Sequence, residues 1–273
     1  MLRVAHVDPV TTRVLAPNAS PMTLDGTNTF LVGAPGSGAL VCIDPGPGDP
    51  EHREAIEAVA RERDAEVVEV VLTHHHVDHA EGAVFGRHWD VPVRCAKPQL
   101  VDGSTGAVTD GEVLDAGGVD LRVIATPGHS SDHLCLHVTA TDSVISGDHV
   151  LGRGTSVVAW PDGDVRSYVT SLARLAEVGA RVLHPGHGST IERPAAVILD
   201  YITHRQEREA TILDIVTRGA RSVDEIVAEI YGPLGGTLTA AAALTVKAHL
   251  DALRREGRIT WPELAAEQEA LDV

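Results

Sequence analysis

The chain has 273 residues, with 22 Lys and Arg against 39 Asp and Glu, 43% hydrophobic residues and only 3% aromatic ones. This length suffices for one large domain, or for a large domain with a small one, and excludes a peptide or a disulfide-stapled scaffold. The formal net charge of -17 argues against tight, non-specific binding to nucleic acid, because phosphate neutralisation needs concentrated Lys and Arg.

Two further features indicate the cellular compartment in which the protein is expected. No stretch approaches the roughly 20 apolar residues that cross a bilayer, and the first residues lack the apolar core of a secretory signal. The three cysteines, Cys42, Cys95 and Cys135, are far apart and never form a CxxC pair. They therefore predict neither a disulfide framework nor a thiolate zinc site, and a cytoplasmic protein without a membrane partner is expected.

Between residues 1 and 200, short β-branched runs alternate with polar or glycine-rich connections and with helical periodicity. This interleaving predicts a layered α/β domain. The glycine-rich segments 33–38 and 45–50 are predicted turns. Strands are predicted at 29–32, 40–43, 67–72, 119–124, 134–138, 143–146 and 181–183, and helices at 50–63, 80–88 and 165–177.

From residue 200 onward the pattern is almost wholly helical. Helices are predicted at 202–218, 222–230 and 239–256, with Gly257 as a stop and a short strand at 258–261. Three helices and a strand pair suggest a winged-helix-like module, so the chain divides into a catalytic domain, 1–200, and a small domain, 201–273. The segment from residue 200 carries eight Lys and Arg against thirteen Asp and Glu. That balance disfavours DNA binding and favours a lid or a dimer-forming role, with the oligomeric state left open.

A cluster of metal-ligand side chains directly follows an apolar predicted strand. The segment 73–79 reads THHHVDH and holds four of the 15 His in the chain. Side chains alternate sides along an extended chain, so His74 and His76 point the same way and can share one ion. Asp78 and His79 lie where the chain turns into the next helix, free to point at a neighbouring position. The spacing predicts two adjacent metal ions.

Three more candidate ligands each end an apolar run beside a glycine: His129 in TPGH, Asp148 in SGD and His187 in HPGH. Glycine lets the backbone turn sharply and approach a crowded site without a Cβ clash. Together with HxHxDH, and in this order, the segments resemble the metallo-β-lactamase superfamily. The resemblance covers about residues 20–190, and the five-part motif is highly specific.

The resemblance implies the αββα sandwich of that superfamily, with the site along one edge of two packed sheets. Imidazole and carboxylate ligands without a thiolate suit zinc best, so two zinc ions are expected, with manganese or iron left open. The resemblance also assigns the ligands: His74, His76 and His129 to one metal, Asp78, His79 and His187 to the second, and Asp148 as a bridge between them.

Divalent ions about 3.5–4 Å apart lower the pKa of a shared water enough to supply a bridging hydroxide near neutral pH. Asp78 is expected to orient that hydroxide, and His133 to assist protonation of the leaving group. Asp44 resembles the aspartate that steadies the ligands in this superfamily. His75 is expected to point away from the metals and to hydrogen-bond the backbone.

A closer resemblance is to the lactamase-β-like group, which includes a mitochondrial endoribonuclease of single-stranded RNA and polyketide-pathway thioesterases. It is carried by GTNTFLV at 26–32, TPGHSSDH at 126–133, SGDHVLG at 146–152 and YITHR at 201–205, followed by the winged-helix-like tail.

At two positions the chain departs from the patterns of particular subfamilies, and these departures narrow the expected function. Antibiotic-hydrolysing β-lactamases of this fold have Cys where Asp148 stands, and flavo-diiron proteins have Glu where His76 stands, so both activities are disfavoured. In the YITHR segment, Tyr201, His204 and Arg205 are expected either to contact substrate or to pin the two domains together.

Two reactions suit the expected centre. One is hydrolysis of a phosphodiester, above all single-stranded RNA; the other is hydrolysis of a thioester or small ester, of the glyoxalase II or acyl-carrier type. The acidic tail and the supply of only eight aromatic residues for base stacking count against RNA. A non-catalytic protein that binds DNA or a partner is disfavoured, because a pure binding module has no need of seven metal ligands.

Overall fold

The computed structural model describes residues 3–271, except the side chains of residues 268, 269 and 271. Within these residues, twelve strands form two sheets. In the larger sheet, strands β1 to β4 pair antiparallel and strands β4 to β7 pair parallel, in the order of the chain. Its members are β1 (Val4–His6), β2 (Thr11–Leu15), β3 (Asn28–Val32), β4 (Ala39–Ile43), β5 (Glu66–Val71), β6 (Val93–Cys95) and β7 (Gly106–Ala107).

The second sheet has the order β12-β11-β10-β9-β8. Its pairs are antiparallel except for β11 and β12, which run parallel because a helix connects them. Its members are β8 (Val113–Asp115), β9 (Asp120–Ala125), β10 (Leu134–Val138), β11 (Ser143–Gly147) and β12 (Val182–Pro185).

Helices cover the outer faces of both sheets. Asp49 and Asp164 cap two of them, each accepting a hydrogen bond from a backbone amide in the first turn. No described helix is long and apolar enough to cross a membrane. The helices are α1 (Pro50–Glu62), α2 (Val77–Ala80), α3 (Val84–Trp89), α4 (Val165–Val178), α5 (Pro194–Thr217), α6 (Val223–Tyr231), α7 (Gly236–Arg255) and α8 (Pro262–Leu271).

Strand β3 shows how the layers are held together. Phe30 and Val32 pack into the core between the two sheets, where they join Leu136 of β10. Leu31, on the opposite face, packs with Ile56 of α1. Side chains alternate along a strand, so a strand covered on both faces is apolar throughout. The predicted layered α/β class and the αββα sandwich are confirmed, as are the seven predicted strands, to within about two residues at each end.

Some predicted elements were wrong or missing. No strand forms at 258–261: the segment contains Trp261, which is buried among the C-terminal helices, and no strand lies alongside for it to pair with in the described residues. The helix predicted at 80–88 is divided into α2, a single 3-10 turn and α3. Five strands were not predicted, since most of them are too short to show the alternation of apolar and polar residues: β1, β2, β6, β7 and β8.

The C-terminal helices share one hydrophobic core with the second sheet. Leu183 of β12 and Leu172 of α4 belong to the same buried cluster as Ile212 of α5, Leu250 of α7 and Trp261. Helix α5 passes residue 200 without a break. The division into a catalytic domain, 1–200, and a winged-helix-like domain, 201–273, therefore stays a prediction, since packing is continuous across residue 200.

Candidate metal centre

The expected ligands lie at one edge of the sandwich, just past the ends of four strands. His74 and His76 follow β5, His129 follows β9, Asp148 follows β11, and His187 follows β12. Glycines make this convergence possible. A Cβ at Gly186 would lie 2.6 Å from His79 and 2.7 Å from Asp148, closer than atoms in contact allow.

The structure brings all seven expected ligands together. Within each of three groups the ligand atoms lie within 4.8 Å of one another: His74 with His76 and His129, Asp78 with His79 and His187, and His74 with His79 and Asp148.

Asp148 lies between the two histidine groups. Its Oδ1 atom is 3.3 Å from Nε2 of His79 and 3.4 Å from Nε2 of His187. Its Oδ2 atom is 3.8 Å from Nε2 of His129, on the other side. In the second group, Asp78 Oδ2 lies 3.0 Å from Nε2 of His187. A single carboxylate is thus placed to reach both positions.

Hydrogen bonds at the far side of the rings decide which nitrogen faces the centre. Nδ1 of His79 donates to Asp44, Nδ1 of His187 donates to the carbonyl of Gly26, and Nδ1 of His129 donates to the carbonyl of Val157. A neutral imidazole has one donor and one acceptor, so each Nε2 presents a lone pair. These lone pairs point inward, as metal ligation requires.

The inward-facing atoms fit a cation and lack other partners. Nε2 of His74 is buried and makes no hydrogen bond among the described residues. Nε2 of His79 lies 3.2 Å from Nε2 of His187, and Nε2 of His129 lies 3.0 Å from Nδ1 of His76. Opposed lone pairs at these distances are stabilised by a shared positive charge. The donor set therefore fits divalent metal ions.

The expected histidine ligands differ in the direction in which their surroundings shift the pKa. Burial, reinforced by the neighbouring histidines, lowers the pKa of His74 well below its usual value. Burial also opposes the charge on His79 and His187, but Asp148 and other carboxylates overcome it. They raise the pKa of His79 well above its usual value and that of His187 to about 9. The second position therefore carries more negative charge than the first.

Asp44 ties several ligands to the fold. Its Oδ1 accepts from the backbone N of Thr73 at 2.7 Å, and its Oδ2 accepts from the Thr73 hydroxyl at 2.7 Å and from Nδ1 of His79 at 2.9 Å. The same Thr73 oxygen accepts from Nδ1 of His74 at 3.0 Å. One buried carboxylate thus orients a histidine from each group, one directly and one through a hydroxyl. Sequence reasoning did not single out Thr73.

His133 is buried behind Asp148. Its Nε2 accepts from the backbone N of Asp148 at 3.1 Å, and its Nδ1 lies 2.9 Å from the hydroxyl of Thr126. Both ring nitrogens are therefore engaged. The leaving-group role expected of His133 finds no free ring nitrogen in the structure, and its contacts are those of a residue that positions Asp148.

Two other expectations can be compared with the structure. Nδ1 of His75 lies 2.8 Å from the carboxylate of Asp132, so the expected bond to the backbone is wrong. Tyr201 accepts from the backbone N of Leu151, and Arg205 donates to the carbonyl of Ser156. Both side chains attach α5 to the loop that follows Asp148. The SGDHVLG segment had marked the start of that loop, including Leu151, but no sequence signal marked Ser156.

Comparison with known families agrees with this geometry. Residues 22–187 match the metallo-beta-lactamase superfamily, and residues 222–261 match the beta-lactamase associated winged helix domain. The chain belongs to the metallo-beta-lactamase superfamily, and it is a hydrolase of that superfamily with a His/Asp metal-binding cluster. More narrowly, it is a member whose C-terminal helices match the winged helix domain associated with beta-lactamases.

The chain is also similar to individual proteins and to solved structures over most of its length. The chain is 31% identical over 277 residues to the beta-lactamase-like protein 2 homolog of Caenorhabditis elegans, covering 96% of this chain and 92% of that protein. It is 34% identical over 247 residues to lactamase-like protein nscB of Trichophyton equinum, covering 85% and 72%. The fold is similar to that of a metallo-beta-lactamase family protein from Thermus thermophilus, with 23% identity, a TM-score of 0.79 and coverage of 92% and 95%.

Proposed function

We propose that the chain is a dinuclear zinc hydrolase that cleaves a thioester or a small ester. Its ligands would be the seven residues assigned from the resemblance, with Asp148 between the two ions. When bound, two zinc ions polarise the scissile carbonyl and lower the pKa of water, so that a hydroxide nucleophile is available near neutral pH.

The residues of the chain supply orientation and charge. Asp44 and Thr73 hold the rings of His79 and His74, so the ligand atoms are preorganised. Asp78 is partly exposed, with 29% of its side chain accessible, and this places it to accept a hydrogen bond from the attacking water. Water then adds to the carbonyl carbon and the carbon–sulfur or carbon–oxygen bond breaks. The products are a carboxylic acid and a thiol or alcohol.

The burial of the aromatic residues supports a carbonyl substrate over RNA. Of the eight aromatic side chains, six are buried: Phe30, Phe85, Trp160, Tyr168, Tyr201 and Trp261. The remaining two are already engaged. Trp89 donates to Glu57, and Arg208 lies over the ring of Tyr231. Single-stranded nucleic acid is held by exposed aromatic rings on which bases stack. The described surface offers no such platform.

The proposal is tested by assaying thioester hydrolysis with the zinc-loaded protein, following release of the free thiol. Labelled single-stranded RNA is assayed in parallel. Asp148→Ala is the matched variant, since it removes the carboxylate between the two positions, and Asp102→Asn is the control, since Asp102 is 99% exposed.

We expect the wild type and Asp102→Asn to release thiol and to leave the RNA uncleaved. We expect Asp148→Ala to lose zinc and also to lose activity. Cleavage of RNA that disappears in Asp148→Ala, without thioester hydrolysis, would overturn the assignment of substrate. Full activity of Asp148→Ala with two metals bound would overturn the assignment of the centre.

A further inference from the structure

A cavity of about 230 Å³ lies between the loop after Asp148 and the C-terminal helices. One wall is Thr155, Ser156 and Val157, and the opposite wall belongs to α6 and α7. Helix α5 contributes His204, Arg205 and Arg208. Three nitrogen-rich side chains therefore line a single cavity in a chain whose net charge is -17.

Within the described part of the chain, the two guanidinium groups in this cavity have no carboxylate partner. Elsewhere on the C-terminal helices arginines pair with acids, as Arg218 does with Asp214 and Glu229. Neither Arg205 nor Arg208 has a carboxylate oxygen within 4.0 Å among the described residues. The Nε atoms of both are buried and make no hydrogen bond there. Buried donors without partners are rare in folded proteins and call for an explanation.

Contacts with neighbouring residues hold the two guanidinium groups in place without neutralising their positive charge. Arg205 donates to the carbonyl of Ser156 and lies 4.9 Å from the ring centroid of Tyr168. Arg208 lies 4.5 Å from the ring centroid of Tyr231. Burial, together with the charges of the two arginines, lowers the pKa of His204. The cavity is thus a preformed positive site.

The wall of the cavity touches the metal centre. The hydroxyl of Ser156 donates to the carbonyl of Asp148 at 2.5 Å and lies 3.0 Å from Nδ1 of His129. The carbonyl of Val157 lies 2.6 Å from the same nitrogen. A molecule held in the cavity is therefore separated from the expected metal ligands by one short segment of chain.

We propose that this cavity binds a phosphate group of the substrate, with Arg205 and Arg208 as its cationic contacts. This inference rests on the proposed function and adds a substrate class to it: thioesters that carry a phosphate. A guanidinium group matches phosphate oxygens with two parallel donors, and two such groups with an imidazole suit a group with several oxygens. Apolar side chains of Leu234, Leu238, Ala241 and Ala242 form much of the rest of the wall, so the cationic contacts are confined to the α5 side of the cavity.

Binding is measured first, because it does not depend on hydrolysis. Inorganic phosphate is titrated into the zinc-loaded protein and followed by phosphorus NMR and calorimetry. Arg208→Gln removes the charge, Arg208→Lys retains it, and Arg218→Gln is the control on an exposed, ion-paired arginine. We expect Arg208→Gln to weaken phosphate binding by about tenfold, as loss of a charged hydrogen bond does, with partial recovery in Arg208→Lys. Arg218→Gln should bind as wild type does.

Substrate preference is measured next with S-acetyl phosphopantetheine and S-acetyl pantetheine, which differ only in the phosphate. We expect wild type to favour the phosphorylated compound in kcat/KM, and Arg208→Gln to reduce that preference by about tenfold. Thermal melts of each variant establish that it folds.

The outcomes separate the two proposals. Phosphate binding that depends on Arg208, without hydrolysis of either thioester, would uphold the site and overturn the proposed reaction. Phosphate binding that survives Arg208→Gln and disappears in Asp148→Ala would place the anion on the metals and overturn the site. The proposed phosphate site would also be overturned if wild type hydrolysed the two thioesters equally well. It would likewise be overturned if a short single-stranded RNA displaced the phosphate and wild type showed no preference for the phosphorylated thioester.

Discussion

Nε2 of His79 faces Nε2 of His187 at 3.2 Å, although Nδ1 of each ring is already committed, to Asp44 in one case and to the carbonyl of Gly26 in the other. At most one proton fits between the two nitrogens. A divalent cation bound by both removes the repulsion of their lone pairs, and the neighbouring carboxylates Asp78 and Asp148 attract it. This pair of rings is the feature of the site that best suits a divalent metal ion.

Zinc binding should therefore release protons. The pKa of His187 is raised to about 9 and that of His79 is also raised, so in metal-free protein the pair holds a proton at neutral pH that zinc must displace. We expect about one proton released per chain, and an affinity of the second position that rises with pH up to about 9. Calorimetry in buffers of different ionisation enthalpy measures the number. Binding without proton release in any buffer would contradict this account.

Asp44→Asn should loosen the centre without removing a ligand. The asparagine amide would present a donor to the Thr73 hydroxyl or to Nδ1 of His79, both of which donate to Asp44 in the native protein. We expect zinc affinity to fall about 10–100-fold, the usual effect of losing a group that orients ligands. Competition with a chelator measures the affinity. Asp142→Asn, a substitution at a partly exposed carboxylate that contacts His137, is the control and should bind zinc as wild type does.

His249 should make stability depend on pH. It is fully buried in α7, and burial, together with nearby arginines, lowers its pKa to about 3. The unfolded chain takes up the proton near pH 6.5 but the folded chain does not, so stability is complete above that pH and is lost as the pH falls toward 3. Between about pH 6.5 and about pH 4.5 the loss from this residue is roughly 2–3 kcal/mol.

Comparison with His249→Leu isolates that contribution. Denaturant unfolding of both metal-free proteins over this pH range should show a shallower fall in the free energy of unfolding for the variant. Parallel pH profiles for the two proteins would show that His249 is protonated without cost in the folded state.

Leu250→Ala tests whether the two parts unfold together. Leu250 is fully buried in α7 and belongs to the cluster that also contains Leu172 of α4 and Leu183 of β12. We expect a loss of about 2–5 kcal/mol in a single transition that includes the sandwich. Hydrogen exchange at β12 should speed up as much as exchange at α7. Faster exchange confined to α6 and α7 would show that the C-terminal helices form an independent unit.

Much of the centre could be predicted from the sequence, because its signals are local. The THHHVDH segment and the glycine-flanked His129, Asp148 and His187 combine metal-ligand chemistry with backbones that turn sharply. The alternation of side chains along an extended chain placed His74 and His76 together. The same locality explains why long apolar strands such as β5 and β10 were predicted and why two- and three-residue strands were not.

The tertiary structure decided what depends on residues far apart in the chain. Asp44 reaches His79 across 35 positions, and the carbonyl of Gly26 reaches His187 across 161. These contacts, rather than the motif, choose the nitrogen that faces the metal. Likewise, YITHR alone left two roles open for Arg205. Only the packing of α5 against the loop after Asp148 shows that its guanidinium is buried with no carboxylate within 4.0 Å among the described residues. Ligand chemistry is encoded residue by residue, whereas ring orientation, burial and electrostatic potential arise only when distant segments pack together.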